Sequence, residues 1–331
     1  IRKNDIAAFL INKGKLNLDA QNSEKHEIIA ALEHACRKGD KKYLGPGAMS
    51  NFPDRYDGFH TYNRCCRSVQ DKGRSKENLK SYTKDRRAYE YWSDGNIHAA
   101  NQFMGSSFFN GISADHIGPI SLGFVHDPRY LQPMSTGDNS SKRDRLQIID
   151  IESIIETEQR TGIYPMSWQS RLIWEFIKAN YSANPDKVPT VYRDALKQNM
   201  ANFMFILRTI LENCPNKGET FLVSAFLEPN FYTFKYSYTF NDRGEIIDKT
   251  DRHYTERNQY ETDRYQRIAI QAIYDYNKKE NRNNKHNLTS TELAVLESIC
   301  SSIEADVSLV KNKQLIINLI EAIEKRIICS L

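Results

Sequence analysis

The pattern of apolar and polar positions after residue 110 predicts two short strands. Ile112, Ala114 and Ile117 lie in an apolar run that a Gly-Pro pair closes, which is typical of a strand followed by a break. Residues 121–125 form another short apolar run that ends before His-Asp-Pro, and we expect them to be the returning strand. Together the two runs predict a small strand pair.

Beyond this pair, apolar residues recur at near-helical spacing. The recurring positions are Leu146, Ile149, Ile151, Ile154 and Ile155. We expect Asn139 or a neighbouring Ser to cap the N-terminus of this helix, because these side chains accept hydrogen bonds from its first N–H groups. The whole stretch therefore has the order strand, strand, helix.

The remaining pattern mixes helices with a few strands. Helices are predicted at residues 23–37, 167–180, 191–213, 265–276 and 312–328, with one more opened by a capping box of Thr289 and Glu292. Strands are predicted at residues 220–227, 231–240 and 245–250, with a hairpin turn at 241–244. The expected fold class is α+β, with a helical N-terminal region and a mixed α/β C-terminal domain.

An aromatic strip marks one face of the predicted strand at residues 231–240. Its members are Tyr232, Phe234, Tyr236, Tyr238 and Phe240. Such a strip can stack on unpaired bases or pack on a helix. We favour packing on a neighbouring helix, because a double-stranded nucleic acid would not present unstacked bases.

Length and composition bound the class of protein. The chain has 331 residues, of which 40% are hydrophobic and 27% charged, so it is expected to be globular with room for more than one domain. No apolar run reaches the roughly 18 residues of a membrane span and no signal peptide is visible, so we expect a cytoplasmic protein without membrane contact. Because it begins at Ile1 rather than Met, a preceding segment is expected.

The cysteines argue against a structural zinc. There are six, with no Cys-x-x-Cys pair among them, so no zinc knuckle is predicted. The vicinal Cys65 and Cys66 can form a redox pair, but packed reduced thiols are the favoured interpretation.

Positive charge is concentrated in one stretch although the net charge is only +4. Between Arg55 and Trp92, ten Lys or Arg stand against five Asp or Glu, interleaved with Tyr. Such a stretch suits contact with the phosphates of nucleic acid, whereas the alternative is a solvated helical surface. The residues we expect to bind DNA here are Arg64, Arg67, Arg86 and Arg87.

The candidate chemistry lies in the strand, strand, helix segment. Asp115 and His116 are neighbours on the first predicted strand, on opposite faces, and Asn139 opens the helix. A carboxylate and an amide oxygen are ligands that Mg²⁺ takes while keeping several waters, and an imidazole can take a proton from an attacking water. The alternative is that Asp115 and His116 form a structural pair in a turn and that Asn139 is only a helix cap. His98 and His126 lie nearest this motif and are further candidates for a phosphate ligand or an acid.

The order of these motifs resembles the HNH, or ββα-metal, nucleases. The resemblance is carried by Asp-His-Ile-x-Pro at residues 115–119, by Leu-Gln-Pro-Met at residues 131–134 and by Asn-Ser-Ser-Lys at residues 139–142. It implies that Asp115 and Asn139 are metal ligands, that His116 is the general base, and that Lys142 is a basic residue contacting DNA phosphate. Mg²⁺ is the expected cofactor, and Mn²⁺ is expected to substitute.

Three longer segments narrow the resemblance to type IIS restriction endonucleases of the BsaI and BsmBI kind. They are RYDGFHTYNRCCR at residues 55–67, RRAYEYWSDGN at residues 86–96 and SADHIGPISLGF at residues 113–124. The resemblance is firm over roughly residues 50–150. It implies hydrolysis of double-stranded DNA near a short asymmetric site containing GTCTC, with a homodimer or sequential nicking to cut both strands.

These inferences divide the chain into three expected parts. They are a basic, mostly helical, DNA-contacting region at residues 1–109, an HNH ββα-metal core at residues 110–160, and a mixed helix and strand domain at residues 161–331 that supports the core or contacts DNA. The alternatives are an HNH endonuclease of another biology, either modification-dependent or from a mobile element, and a DNA-binding module with an inactive core.

Overall fold

The computed structural model describes residue 11 and residues 16–19, 21–37, 90–142, 144–252, 256–276 and 285–331. The backbone contacts divide the chain into two compact units, Ile1–Tyr82 and Thr83–Leu331. The described part of the first unit contains helix α1 (Lys25–Arg37), on which Ile28 is buried. The helix predicted at residues 23–37 is therefore confirmed.

The second unit is mostly helical and carries two small sheets among its described residues. Its first half contains α2 (Ile97–Met104), β1 (Ser113–His116), β2 (Leu131–Met134), α3 (Thr136–Lys142), α4 (Ile148–Thr161), α5 (Arg171–Asn180) and α6 (Arg193–Asn213). Its second half contains α7 (Gly218–Leu222), α8 (Glu228–Phe231), β3 (Tyr236–Phe240), β4 (Ile246–Asp251), α9 (Glu256–Tyr276), α10 (Ser290–Glu304) and α11 (Leu309–Ile328). This mixture is compatible with the α+β class.

Two apolar clusters hold this unit together. The larger one is built around α6, which packs against α7, α9, α10 and α11. The smaller one consists of Ala100, Phe103, Phe109 and Leu131, with Phe240 packed against it. Because Leu131 is the first residue of β2, the small cluster supports the β1–β2 sheet.

Strand β1 forms where the sequence predicts it, but its partner lies elsewhere. The prediction that residues 121–125 form the returning strand is wrong. Ile120–Leu122 is a 3-10 turn that ends at Gly123, whose φ is 96°. The partner is β2, in which Pro133 pairs with Ala114. Proline donates no backbone hydrogen bond, so it argues against a central strand, but a two-stranded sheet consists of edge strands that tolerate it.

Asn139 and the two Ser residues that follow it lie inside a helix rather than at its N-terminus, so the predicted cap is wrong. Helix α3 begins at Thr136, and its first turn is closed by Ser135, whose Oγ accepts from the N–H of Asp138 at 3.1 Å. The longer helix α4 starts separately, with a capping box formed by Gln147 and Asp150. The Ser-x-x-Asp sequence at Ser135 and Asp138 therefore determines where helix α3 begins.

Two further strand predictions need correction. Residues 220–227 form helix α7 followed by the π-helical turn Val223–Leu227, because a continuous buried apolar run does not distinguish a strand from a helix. The strand predicted at residues 231–240 begins only at Tyr236, after the 3-10 turn Tyr232–Lys235. The predicted helix at residues 265–276 and the Thr289 capping box are confirmed.

The β3–β4 hairpin braces the loop that enters β2. The ring of Phe240 lies 5.0 Å from that of Phe103 on α2, so the predicted packing of the aromatic strip is confirmed at this position. At the hairpin turn, Asn241 Oδ1 accepts from the N–H groups of Arg243 and Glu245, each at 3.0 Å. Gly244 follows with a φ of 70° and lies directly against the carbonyl of Pro128.

The predicted division of the chain into three parts, at residues 109 and 160, stays a prediction.

The described residues contain no helix that is both long and apolar enough to cross a bilayer.

We predict that Gly244→Ala lowers the free energy of unfolding by roughly 2–5 kcal/mol. The methyl group would overlap the carbonyl oxygen of Pro128, which adds overpacking to the cost of a left-handed residue. Gly162→Ala is the matched control, because Gly162 has a φ of 68° but no neighbouring atom within 4 Å of the place that an added methyl group would occupy, and it should cost only about 1–2 kcal/mol. Equal losses in urea titrations of the two variants would contradict the close approach.

Candidate active site

Strand β1 presents Asp115 and His116 to different neighbours. Asp115 lies opposite Gln132 on β2 and accepts a hydrogen bond from its Nε2 at 3.0 Å. It also accepts from Lys142 on α3, whereas the His116 ring contacts His126. The alternation predicted from the sequence is therefore confirmed.

The Lys142 ammonium ties β1 to two helices. Its Nζ donates to Asp115 Oδ2 at 2.8 Å and to the carbonyls of His116 and Ile117, both at 2.9 Å. These three bonds use all three N–H donors of an ammonium, and Asp150 Oδ1 on α4 lies 3.2 Å away. The predicted contact of Lys142 with phosphate stays a prediction, and a phosphate would compete with these internal acceptors.

Asn139 lies on α3 and faces β1. Its Nδ2 donates to Ser113 Oγ at 2.7 Å and to the carbonyl oxygen of Ala114 at 3.2 Å. Because that carbonyl can only accept, the amide nitrogen must be the atom that faces it. Helix α3 therefore brings Asn139 against the residue next to Asp115.

The two predicted metal ligands fit Mg²⁺ by donor chemistry. Oδ2 of Asp115 is engaged by Gln132 and Lys142, whereas Oδ1 of Asp115 and Oδ1 of Asn139 make no hydrogen bond to any described residue. A carboxylate oxygen and an amide oxygen, with water at the other positions, are a protein share that Mg²⁺ accepts. In the described ranges no three His, Cys, Asp or Glu side chains converge on a metal position.

A buried imidazole and a carboxylate lie behind His116. Nε2 of His116 is 2.7 Å from Nδ1 of His126, and the ring centroids are 4.9 Å apart. Nε2 of His126 lies 3.5 Å from Oε1 of Glu90, with the two side chains 0% and 1% exposed. The three side chains therefore form a row in the order Glu90, His126, His116.

The next residue, Asp127, fixes the loop before β2. Its carboxylate accepts from Nε and Nη2 of Arg129, both at 2.6 Å, and from the backbone N–H of Asn96 at 3.0 Å. Asp127 is 1% exposed, and a buried carboxylate is tolerated when it is paired in this way. His126 therefore directly precedes a residue whose side chain ties this loop to Asn96 and Arg129.

His98 lies on α2, where its surroundings argue against the predicted phosphate or acid role. Its Nε2 accepts from Nε2 of Gln102 at 2.8 Å, and the Gln102 amide is oriented by bonds to the backbone of Tyr236 and Tyr238. Burial lowers the pKa of His98 to about 4, with Arg252 adding to the effect and Glu261 opposing it. A neutral ring at pH 7 attracts phosphate poorly.

The other predicted DNA contacts, Arg64, Arg67, Arg86 and Arg87, lie outside the described residues, as does most of the basic stretch.

Two polar residues of this region, Gln132 and Glu90, are not predicted as site residues from the sequence. Strand pairing places Gln132 opposite Asp115. A correct prediction of the second strand would therefore have identified Gln132. Glu90 has no local signal, because its contact with His126 depends on the tertiary fold.

A comparison with family models identifies the class of protein. The model described as type II restriction endonuclease (RE_Alw26IDE) matches residues 17–327, which covers the whole site and nearly all of the chain. The chain therefore belongs to this family of endodeoxyribonucleases, and its substrate is DNA. No curated protein and no solved structure matches the chain.

We predict that acid destabilises the protein partly through His98. In the unfolded chain this ring takes up a proton near its ordinary pKa of 6.5, whereas in the folded protein it does so only near 4. The unfolded state therefore binds more protons between these values, and the free energy of unfolding falls as the pH drops through that window, by about 2 kcal/mol between pH 7 and pH 5. His98→Gln should show a shallower fall in thermal midpoint, and a slope equal to that of the wild type would contradict the assignment.

We predict that Lys142→Met lowers the free energy of unfolding by about 3–5 kcal/mol, because it leaves two poorly exposed carboxylates without their cation. Lys217→Met is the matched control, since Lys217 pairs with Asp306 at 3.2 Å on the surface, where the side chains are 45% and 78% exposed, and should cost at most about 1 kcal/mol. Comparable losses in the two unfolding titrations would argue against an anchoring role of Lys142.

Proposed function

We propose that this restriction endonuclease is an HNH, or ββα-metal, nuclease that hydrolyses DNA with Mg²⁺. The observation that carries the proposal is the order β1, β2, α3, with Asp115 and His116 on β1 and Asn139 on the helix that packs against it. Mn²⁺ is expected to substitute for Mg²⁺, since both are divalent ions that accept oxygen ligands.

The residues have separate roles in this proposal. Oδ1 of Asp115 and Oδ1 of Asn139 would hold the ion, which would stabilise negative charge on the scissile phosphate and the leaving oxygen. His116 accepts a proton from the attacking water as general base. The water oxygen attacks phosphorus as the bond to the 3′ oxygen breaks, and the leaving 3′ oxygen takes a proton from solvent, which yields 5′-phosphate and 3′-hydroxyl ends.

The proposed specificity is that of a type IIS enzyme of the BsaI and BsmBI kind. It rests on the three sequence segments within residues 55–124, and it implies cleavage at a fixed distance from an asymmetric site containing GTCTC. One such centre cuts one strand at a time, so a double-strand break requires a second protomer or sequential nicking. Lys142, Arg64, Arg67, Arg86 and Arg87 are the proposed contacts to DNA phosphates.

A second candidate function is DNA binding by an inactive core. The observation in its favour is the Lys142 ammonium on the carboxylate of Asp115, since a cation at this position repels a metal ion. We favour the active enzyme because the second oxygen of Asp115 and the amide oxygen of Asn139 make no hydrogen bond to any described residue and can serve as ligands. An HNH endonuclease of another biology, either modification-dependent or from a mobile element, is the other alternative.

Digestion of an unmodified plasmid with a single GTCTC site tests this proposal. We expect cleavage with Mg²⁺ or Mn²⁺, none with EDTA, and sequenced ends at one fixed offset from the site. Cleavage that persists in EDTA would overturn the metal dependence, and ends scattered over the plasmid would overturn the type IIS assignment. Cleavage restricted to modified DNA would support the alternative endonuclease, whereas binding without cleavage would support the inactive core.

Substitutions at the site separate its roles. We expect His116→Gln to reduce the cleavage rate by about 10²–10⁴-fold without loss of DNA binding, because it removes a general base. His98→Gln is the matched histidine control and should cleave normally. Asp115→Asn should likewise reduce cleavage, whereas Asp138→Asn, an exposed carboxylate on the same helix as Asn139, should not. Full cleavage by His116→Gln would remove the general-base assignment.

A further inference from the structure

His126 and Glu90 form a buried chain of polar groups that ends on the ring of His116. His126 is fully buried, and Glu90 is 1% exposed. Burying polar groups is unfavourable unless they are paired, so this arrangement requires the fold to hold it in place. Through His126, this buried chain contacts the His116 ring.

The 2.7 Å contact between His116 Nε2 and His126 Nδ1 needs one N–H donor and one lone pair. With both rings neutral, two arrangements satisfy it. If His126 donates, its own Nε2 carries the lone pair and Nδ1 of His116 carries a proton. If His116 donates, Nε2 of His126 carries a proton and Nδ1 of His116 carries the lone pair.

Glu90 distinguishes the two arrangements. Its Oε1 lies 3.5 Å from His126 Nε2, which is longer than a normal hydrogen bond but within ion-pair range. A carboxylate attracts an N–H and repels a nitrogen lone pair, and inside the protein this preference is only weakly screened. Glu90 therefore favours the proton on Nε2 of His126, so that His126 accepts the N–H from His116.

We propose that Glu90 and His126 are positioning residues that hold His116 in the tautomer with a proton on Nε2 and a lone pair on Nδ1. This inference rests on the proposed function, in which His116 is the general base. It adds which nitrogen acts as the base and which residues select it. The tautomer of a histidine is set in this way by the hydrogen bond that its other nitrogen makes.

The backbone around His126 is held on both sides. Its N–H donates to the carbonyl of Asp94 at 2.9 Å, and the N–H of Val125 donates to Pro165 at 3.0 Å. Asp127 follows at once, with its carboxylate bound to Arg129. The backbone that carries the His126 ring is therefore held by contacts that do not involve His116.

The segment that carries Glu90 is also fixed. The indole Nε1 of Trp92 donates to the carbonyl of Ala269 at 2.9 Å, and the hydroxyl of Tyr265 donates to the carbonyl of Tyr91 at 2.7 Å. Both partners lie on α9, so this helix holds the backbone next to Glu90. A positioning residue needs such support, because small displacements of a catalytic group reduce the rate strongly.

The first test uses three variants whose hydrogen-bonding capacity differs. His126→Leu removes the acceptor for His116, whereas His126→Asn places an amide oxygen near the position of Nδ1 and keeps it. Glu90→Gln keeps the shape of the side chain and removes its charge. Single-turnover cleavage rates with Mg²⁺ and DNA affinities without metal are measured for each, with His98→Gln as the control.

We expect His126→Leu and Glu90→Gln to reduce the cleavage rate by about 10–10²-fold, the usual effect of removing a partner that orients a functional side chain. DNA affinity should stay unchanged, and His126→Asn should recover most of the rate lost in His126→Leu. A purely structural role predicts losses that follow thermal stability and no rescue by Asn. Full rates in folded His126→Leu and Glu90→Gln would overturn the proposal.

The second test reads the tautomer directly and needs no activity. Ring ¹⁵N spectra of histidine-labelled protein at pH 8 are recorded, and the His116 signals are assigned by their loss in His116→Gln. We expect the proton on Nε2 in the wild type and a shift toward Nδ1 in Glu90→Gln. A proton on Nδ1 in the wild type would overturn the proposal even if His126→Leu did not fold.

The two proposals can fail separately. Normal cleavage by His116→Gln would overturn the general-base role in the proposed function, whatever the spectra show. Loss of cleavage in His116→Gln together with full cleavage in His126→Leu would leave the proposed function intact and overturn only the positioning role.

Discussion

The candidate site depends on one partly buried cation. The Lys142 ammonium joins the carboxylate of Asp115, the backbone at the end of β1 and, at ion-pair distance, Asp150 on α4. Without it, β1 and α4 would meet with their acceptors facing each other. Because removing one member of a buried ion pair leaves the other charge uncompensated, this contact constrains the relative placement of β1, α3 and α4.

The pleat of β1 places the carboxylate of Asp115 and the imidazole of His116 on opposite faces of the strand. Adjacent residues of a strand point to opposite faces, so Asp115 faces Gln132 and Lys142 while His116 faces His126. The carboxylate of Asp115 lies on one side of the strand and the two imidazoles lie on the other. Gln132 and Lys142, which contact the Asp115 carboxylate, follow it closely in the sequence. Glu90, which contacts His126, precedes α2 in the sequence.

Local features of the site are predictable from the sequence, and distant ones are not. The Asp115 strand, the helices built on apolar spacing and the Thr289 cap follow from neighbouring residues. The second strand escapes prediction because Pro133 argues against a strand, and the cap is wrongly assigned to Asn139 because Ser135 and Asp138 supply the stronger signal. Residues 220–227 are wrongly predicted because a fully buried run has no period that separates helix from strand.

The hydrogen bonds from Trp92 and Tyr265 mean that the small β1–β2–α3 segment is not self-contained. Trp92 and Ala269 lie 177 positions apart in the sequence, so α9 is part of the scaffold behind Glu90. A fragment that ended before residue 256 would keep every proposed metal ligand and the base, yet lose the brace behind them. The proposed catalytic segment is therefore not an independent module of this enzyme, and grafting it onto another protein would require α9 as well.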